Sequence, residues 1–461
     1  MKKADFNDKW DKNNYLCNSD ADIFVKEKYL YYYTNSDVEN IIEKWLHIGN
    51  LKNIIIIKKN IVIKDNYYSN FYKIYRCSEI FKKHILLSSL VHAREPAGLN
   101  VNIAFIDNLL DEGNLMSDDI RNNILDKYVI HVIFIYNPIG YEIDNSSVYI
   151  INNELHNIPG IYYRKNGNMK NGNEQNILKI KKLYEDVIKN YINNNNVKIK
   201  ISNQNNYGVD LNRNFGKFSS KLPKFFDFLI NQKCTINNIN NYGLNNYEKF
   251  KVLYFKYNVL SQELSDHLIN HGLWNLNYNN DLLNDQYPGE TSNSEMETIN
   301  FQNYFTTYNF SCNISIHSCG NVLLKPFIYD IERCKINSLV PFFSINNDDY
   351  NMFINNCNKN GIFNVTNKNY KNIMYKDNKI YYGNVLNPIT SGHFGNMLEW
   401  TYINNLYRLE LNEGSNEFKT FILEVGNKKF GLYPKKKDMI DIIYHSTKAL
   451  IDLINGFNDN K

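Results

Sequence analysis

At 461 residues the chain has room for two or three average domains, or for one large core with insertions. Hydrophobic residues make up 43%, with 36 Tyr and 26 Phe, which excludes an intrinsically disordered chain. A formal net charge of +4, from 52 basic and 48 acidic side chains, is too mild for a surface built to hold nucleic acid or an anionic membrane, and seven Cys without a Cys-x-x-Cys pair signal neither a disulfide framework nor a thiolate zinc site.

The N-terminus carries Lys2, Lys3, Asp5, Asp8, Lys9, Asp11 and Lys12 with no apolar run behind them, so no signal peptide is read. No uncharged apolar stretch approaches the roughly eighteen residues of a transmembrane segment. The expectation is a soluble, cytoplasmic protein. Val38, Ile41, Ile42 and Trp45 share one face of a helix predicted over 36–47, and strand-like runs follow at 54–57 and 72–75. Residues 84–91 read as a buried strand, 98–110 as a helix, and 128–136 as a continuous apolar strand stopped by Asn137-Pro138, taken as a structural turn.

Three tracts interrupt this order: an Asn-, Lys- and Gly-rich insertion at 166–206 with one weak helix near 177–191, a second at 216–284 and a third at 330–384. Between and beyond them, strands are predicted at 313–316, 322–326 and 418–425. Ile442, Ile443, Leu450 and Leu453 stand at helical spacing in a closing helix over 439–454. The succession of strand, helix and strand predicts an α/β fold: a mixed, twisted, mainly parallel sheet with helices on both faces.

The predicted strand ending at Val91 delivers His92-Ala93-Arg94-Glu95 at its C-terminal edge, where open α/β sheets place their ligand sites. A His and a carboxylate three residues apart in a tight turn can share one metal ion. A catalytic zinc site takes three protein ligands and leaves one position for water. A second strand, Ile314-Ser315-Ile316, delivers His317 in the same manner.

These segments fall in series with Asn137-Pro138-Ile139-Gly140-Tyr141, Tyr163-Arg164-Lys165, Gly208-Val209-Asp210-Leu211-Asn212-Arg213-Asn214-Phe215, Ile316-His317-Ser318 and Phe421-Ile422-Leu423-Glu424. Six motifs in this order strongly resemble the zinc metallocarboxypeptidases of the carboxypeptidase A/B type, over about residues 29–454. The resemblance implies a metallocarboxypeptidase-like fold, one Zn²⁺ per chain held by His92, Glu95 and His317, and the C-termini of peptides or proteins as substrates. It also makes Glu424 the general base. Developing charge on a tetrahedral oxygen calls for a fixed cation, and Arg164 matches the family residue with that task. A free carboxylate is best gripped by an arginine fork; Asn212 and Arg213 match the pair that holds it, and Arg94 matches a substrate-side arginine.

By the same resemblance the floor of the terminal-residue pocket falls near Leu398 and Ile328, both apolar, which implies a preference for aliphatic or aromatic C-terminal residues. Glu399 in the neighbouring loop would instead favour Lys or Arg, and Lys325 would favour acidic ends. The chain departs from the family where a mobile loop usually offers a Tyr. The matching stretch, Asn387-Pro388-Ile389-Thr390-Ser391-Gly392, has none, and Tyr381 or Tyr382 from a shifted register is the candidate substitute. The expected organisation is an extension over 1–28 and a single catalytic domain over 29–461 bearing the three insertions, with no folded prodomain and no need of proteolytic activation. Two alternatives use the same residues: a related zinc hydrolase that removes glutamates from side chains or branched glutamate chains, and a catalytically weak binding protein that retains the fold.

Overall fold

The computed structural model describes residues 25–64, 66–145, 148–151, 154–157, 163–167, 208–215, 285–289, 293–326, 347–357, 363–365, 380–383, 396–410, 414–415, 417–427 and 431–457. Helix α1 (Asn35–Leu51) opens on a capping box in which the Thr34 hydroxyl accepts from the Asp37 amide while the Asp37 carboxylate accepts from the Thr34 amide. Strands β1 (Ile54–Lys64) and β2 (Tyr67–Arg76) follow as an antiparallel hairpin. Both run well past the apolar runs at 54–57 and 72–75, because β1 is an edge strand on which Lys58, Lys59 and Asn60 are all exposed.

Strand β3 (Lys83–Ser89) leads into α2 (Pro96–Leu109), all fourteen residues of which are buried. The polar α3 (Asp118–Lys127), capped by Ser117, precedes β4 (Tyr128–Ile133). Asn137-Pro138 does not end in a simple turn: Pro138 starts α4 (Pro138–Asn145), and Asn137 Oδ1 accepts from the Gly140 amide at 3.0 Å. A small hairpin, β5 (Val148–Ile151) with β6 (Glu154–Asn157), stands apart from the main sheet. Beyond it come α5 (Met296–Thr307), β7 (Phe310–Ser318) and β8 (Val322–Leu324), followed by α6 (Asn347–Cys357), β9 (Phe363–Val365) and β10 (Ile380–Gly383). Helix α7 (Met397–Glu410), β11 (Lys419–Val425) and α8 (Lys436–Gly456) complete the order.

Among the described residues the main sheet has nine strands in the order β1-β2-β4-β3-β7-β11-β8-β10-β9. The central β4, β3, β7 and β11 run parallel, and the flanking pairs mix both senses. Alternation along each strand sorts its side chains to two cores. Ile85, Leu87, Ile314, Ile316, Phe421 and Leu423 join the larger core with α1, α2, α6 and α8. Leu86, Ile133 and Phe71 join the smaller one, under Phe301, Tyr304 and Phe305 of α5 and Met397 and Trp400 of α7.

The face towards α7 carries a polar seam. Asn313 Nδ2 donates to Thr420 Oγ1 at 3.1 Å, Thr401 Oγ1 lies 2.9 Å from Thr420 Oγ1, and Ser88 Oγ donates to Ser315 Oγ at 3.2 Å.

Two sequence boundaries shift. Val25, Tyr29 and Leu30 pack into the larger core, so residues 25–28 fold with the domain rather than standing outside it as an extension. The tract at 330–384, read as an insertion, supplies α6, whose Tyr350, Phe353, Ile354 and Cys357 are buried, and two strands that widen the sheet. Four of the eleven residues of α6 are Asn, yet its apolar set at 350, 353, 354 and 357 keeps helical spacing inside the Asn-rich composition. The tracts at 166–206 and 216–284, including the helix expected near 177–191, lie almost wholly outside the described residues. Among the described residues, Cys312 and Cys357 are buried, Cys319 is partly so and Cys77 is exposed. No helix among the described residues is long and apolar enough to cross a membrane.

Candidate metal centre

Three side chains converge where β3 and β7 end. After β3 the backbone turns through Leu90, which holds φ at 55°, a left-handed conformation costly for a bulky residue. Hydrogen bonds from the Tyr136 amide to Ser89 O and from the Asn137 amide to Leu90 O, each 3.1 Å, hold this turn. His92 follows, and Glu95 stands at the N-cap of α2 with Pro96 at its first position. A Cβ on Gly98 would lie 2.8 Å from Ile316 O, so the missing side chain lets α2 approach β7 and brings Glu95 under His317.

His92 Nδ1 lies 2.8 Å from Glu95 Oε1, His317 Nδ1 lies 3.0 Å from Glu95 Oε2, and the two Nδ1 atoms are 3.1 Å apart. This is close to the spacing of donor atoms around a single tetrahedral ion with bonds of about 2.0–2.1 Å. The set of two imidazoles and one carboxylate, all buried, suits Zn²⁺. The far nitrogens are also held: His317 Nε2 lies 3.0 Å from Ser315 Oγ, and His92 Nε2 lies 3.3 Å from Asp210 Oδ1.

Burial alone would raise the Glu95 carboxyl, but the adjacent His92 and the hydrogen bond from His317 outweigh it and hold the group well below the usual carboxylate range. Burial, reinforced by Arg164, pushes His92 below its ordinary value, towards the neutral form that a metal ligand takes. Asp210, wholly buried, is kept ionised against its burial by Arg164 and Arg213.

Glu424 occupies the same rung as His317 in the parallel β7–β11 pairing, so both side chains leave the sheet on one face. Its charge is felt by His317. Gly320 packs against it: a Cβ at that position would sit 3.0 Å from Glu424 Cβ.

The arginines stand around these groups. Arg164 Nε donates to Asp210 Oδ2 at 2.9 Å, and its Nη1 lies 3.9 Å from Glu95 Oε1. Arg213 donates through Nη1 to Asn212 O at 2.7 Å and reaches Gln286 Oε1 at 3.5 Å; burial pushes its guanidinium down to about 10, which leaves it charged at neutral pH. Asn212 Oδ1 accepts from the Met397 amide at 2.9 Å, which ties this pair to the first turn of α7. Arg94 Nη1 donates to Asp285 Oδ2 at 2.9 Å.

Leu398, Glu399 and Trp400, read as part of a loop, are instead buried on α7. Asn396 starts the helix there, its Oδ1 accepting from the Glu399 amide at 2.9 Å. The Glu399 carboxylate acts on Arg213. Lys325, expected to favour acidic ends, is buried with its Nζ over the Tyr350 ring. Tyr381 and Tyr382 belong to β10 and pair with β8 and β9, which argues against a loop role. Ile328 and the 387–392 stretch lie outside the described residues.

Sequence reasoning gave no role to Asp210, although it stands within a quoted motif. Its signal is an acid two residues before Asn212, where it also accepts from the Asn212 amide at 3.0 Å. Because one carboxylate orients His92, Arg164 and the 210–213 turn, Asp210→Asn should lower metal affinity and kcat/KM by about 10–100-fold, the usual effect of a partner behind a ligand. Metal competition with a chelator, read beside steady-state rates, checks this; unchanged affinity and rate would remove Asp210 from the site.

Comparison with known proteins gives the same answer. The thrombin-activatable fibrinolysis inhibitor superposes with a TM-score of 0.53 at 13% identity, covering 95% of this chain and 77% of that one. The carboxypeptidase A from Helicoverpa armigera gives 0.53 at 12%, covering 94% and 75%. The bovine thrombin-activatable fibrinolysis inhibitor, solved in complex with tick carboxypeptidase inhibitor, gives 0.53 at 14%, covering 94% and 100%. At such identities the likeness speaks for the fold, which is the mixed sheet with helices expected from the sequence. No curated protein matches the chain by sequence. The family model described as zinc carboxypeptidase matches residues 77–447, most of the chain and every converging side chain described above, and the chain belongs to the zinc carboxypeptidase family.

Proposed function

We propose that the protein is an active carboxypeptidase that hydrolyses the C-terminal peptide bond of peptides or proteins. The observation that carries this reading is the joint presence of a zinc-suited ligand set, a carboxylate on the same rung of the neighbouring strand, and the Asn212-Arg213 pair tied to the first turn of α7. Zinc held by His92, Glu95 and His317 would polarise the scissile carbonyl and lower the pKa of a bound water from about 15.7 towards about 7.

The chain's own groups do the rest. Glu424 accepts the water's proton and returns it to the leaving amine. Arg164, fixed by Asp210, offers its remaining N–H groups to the developing oxyanion. Arg213 and the Asn212 amide grip the substrate's terminal carboxylate, so only the last residue reaches the reacting position. Leu398 contributes an apolar wall to the terminal-residue pocket, with Ile328 proposed for its floor. Glu399, whose charge acts on Arg213, serves in this reading as a counter-ion rather than a receptor for Lys or Arg. Aliphatic and aromatic C-terminal residues are therefore the proposed substrates.

Amidating the C-terminus removes the charge that Arg213 recognises, a charged hydrogen bond of about 1.5–3 kcal/mol. Rates on matched free and amidated peptides should differ by about 10–100-fold or more for the parent protein and by little for Arg213→Ala. Equal cleavage of both peptides by the parent would refute the exopeptidase assignment.

A further inference from the structure

The acids that face the cleft arginines differ in exposure. Arg164 is matched by Asp210, which is wholly buried. Arg213 contacts the Asn212 carbonyl and Gln286, and the charges of Asp210 and Glu399 act on it. Arg94, the residue inside the zinc motif, is matched by Asp285 at 2.9 Å, and the Asp285 side chain remains 43% exposed. Asp285 thus faces an arginine charge beside the ligands from a side chain that is itself half-exposed.

Its placement does not depend on Arg94 alone. Gln286 beside it reaches Arg213, Tyr287 O accepts from the Asp210 amide at 2.8 Å, and Pro288 O accepts from Asn214 Nδ2 at 2.8 Å. The 285–289 segment is therefore pinned to the same turn that carries Asn212 and Arg213. The Asp285 charge also reaches Arg164 on the other side.

We propose that Asp285 is a specificity residue, which makes the cleft upstream of the cleaved bond accept basic side chains and reject acidic ones. The inference rests on the exopeptidase reading: with the terminal carboxylate on Arg213 and the scissile carbonyl at the ligands, the preceding residues leave past Arg94 and Asp285. An unpaired Arg94 would attract acidic side chains there. Paired with Asp285, Arg94 offers an acidic side chain less, and the half-exposed carboxylate favours a lysine or arginine that approaches it over an aspartate or glutamate.

Three peptides with one shared C-terminal residue test this, the two residues before it being both Lys, both Gln or both Glu. For the parent protein kcat/KM should favour Lys over Glu by about tenfold, and 1 M salt should shrink the ratio towards unity. Asp285→Asn, at a half-exposed position, should bring the ratio to one or reverse it while the Gln peptide stays within about twofold. A parent protein that cleaves all three equally overturns the proposal, as does a variant that slows all three by a common factor, the mark of a merely structural role. Amidated versions of the same peptides keep the two readings apart. Cleavage indifferent to amidation strikes the exopeptidase reading and the proposal with it, whereas a flat Lys-to-Glu ratio strikes the proposal alone.

Discussion

The His317→Ala variant will purify without stoichiometric zinc and with activity reduced by about 10³-fold or more. Three donors would hold the ion, and removing one leaves a two-ligand site, which is insufficient for a catalytic zinc. The loss of rate follows because the water's acidity and the polarisation of the carbonyl, together several kcal/mol of the barrier, depart with the ion. His317 is buried, and its Nε2 contact with Ser315 is lost as well, so some destabilisation of about 1–3 kcal/mol accompanies the change. Elemental analysis of folded protein, verified by circular dichroism, separates the two effects. Full zinc occupancy in that variant would show that the ligand set is misassigned.

Glu424→Gln should do the opposite to the metal and nearly the same to the rate. Gln keeps the volume beside Gly320 and leaves His92, Glu95 and His317 untouched, so about one zinc per chain is expected. What disappears is the proton acceptor, a contribution of about 10²–10⁴-fold, which should fall on kcat with KM close to the parental value. Side-by-side zinc analysis and steady-state kinetics give the answer. A variant that keeps more than about a tenth of the parental kcat would mean that another group takes the proton.

The sequence made the centre of this molecule legible because its apolar runs are continuous there. The strands at 84–91, 128–136 and 418–425 and the helix at 98–110 correspond to elements buried on all sides, where little polar composition intrudes. His92 and Glu95 were readable because both ligands lie in one turn, and His317 because it ends an apolar strand. Polar helices were harder. Helix α3 reads Asp-Asp-Ile-Arg-Asn-Asn and keeps only Arg121, Ile124 and Leu125 buried, too few to impose a period. Helix α4 hid behind Asn137-Pro138, a pair that marks a stop as readily as a start. The beginning of α7 was mistaken for loop because its start is signalled only by the Asn396 cap, inside a chain where Asn is everywhere.

Asp210 and Asp285 show a second limit. Their roles come from what they touch across long gaps in the chain: Asp210 meets His92, and Asp285 meets Arg94 191 residues away. Spacing along a single sequence carries no record of such meetings, whereas the arginines they serve were found because arginine forks have a recognisable task.

The shared rung of His317 and Glu424 makes the sheet itself a ruler. Parallel neighbours stand about 4.8 Å apart through backbone hydrogen bonds, which no side-chain motion can stretch. The ordering entropy of bringing Glu424 and His317, the proposed proton acceptor and ligand, together is therefore met when the strands pair, long before a substrate arrives, and no loop closure need be spent on it. Tracts as long as 216–284 can then lengthen or shorten between strands at a cost that grows only with the logarithm of their length. The catalytic spacing, being written in backbone register, is insulated from that drift.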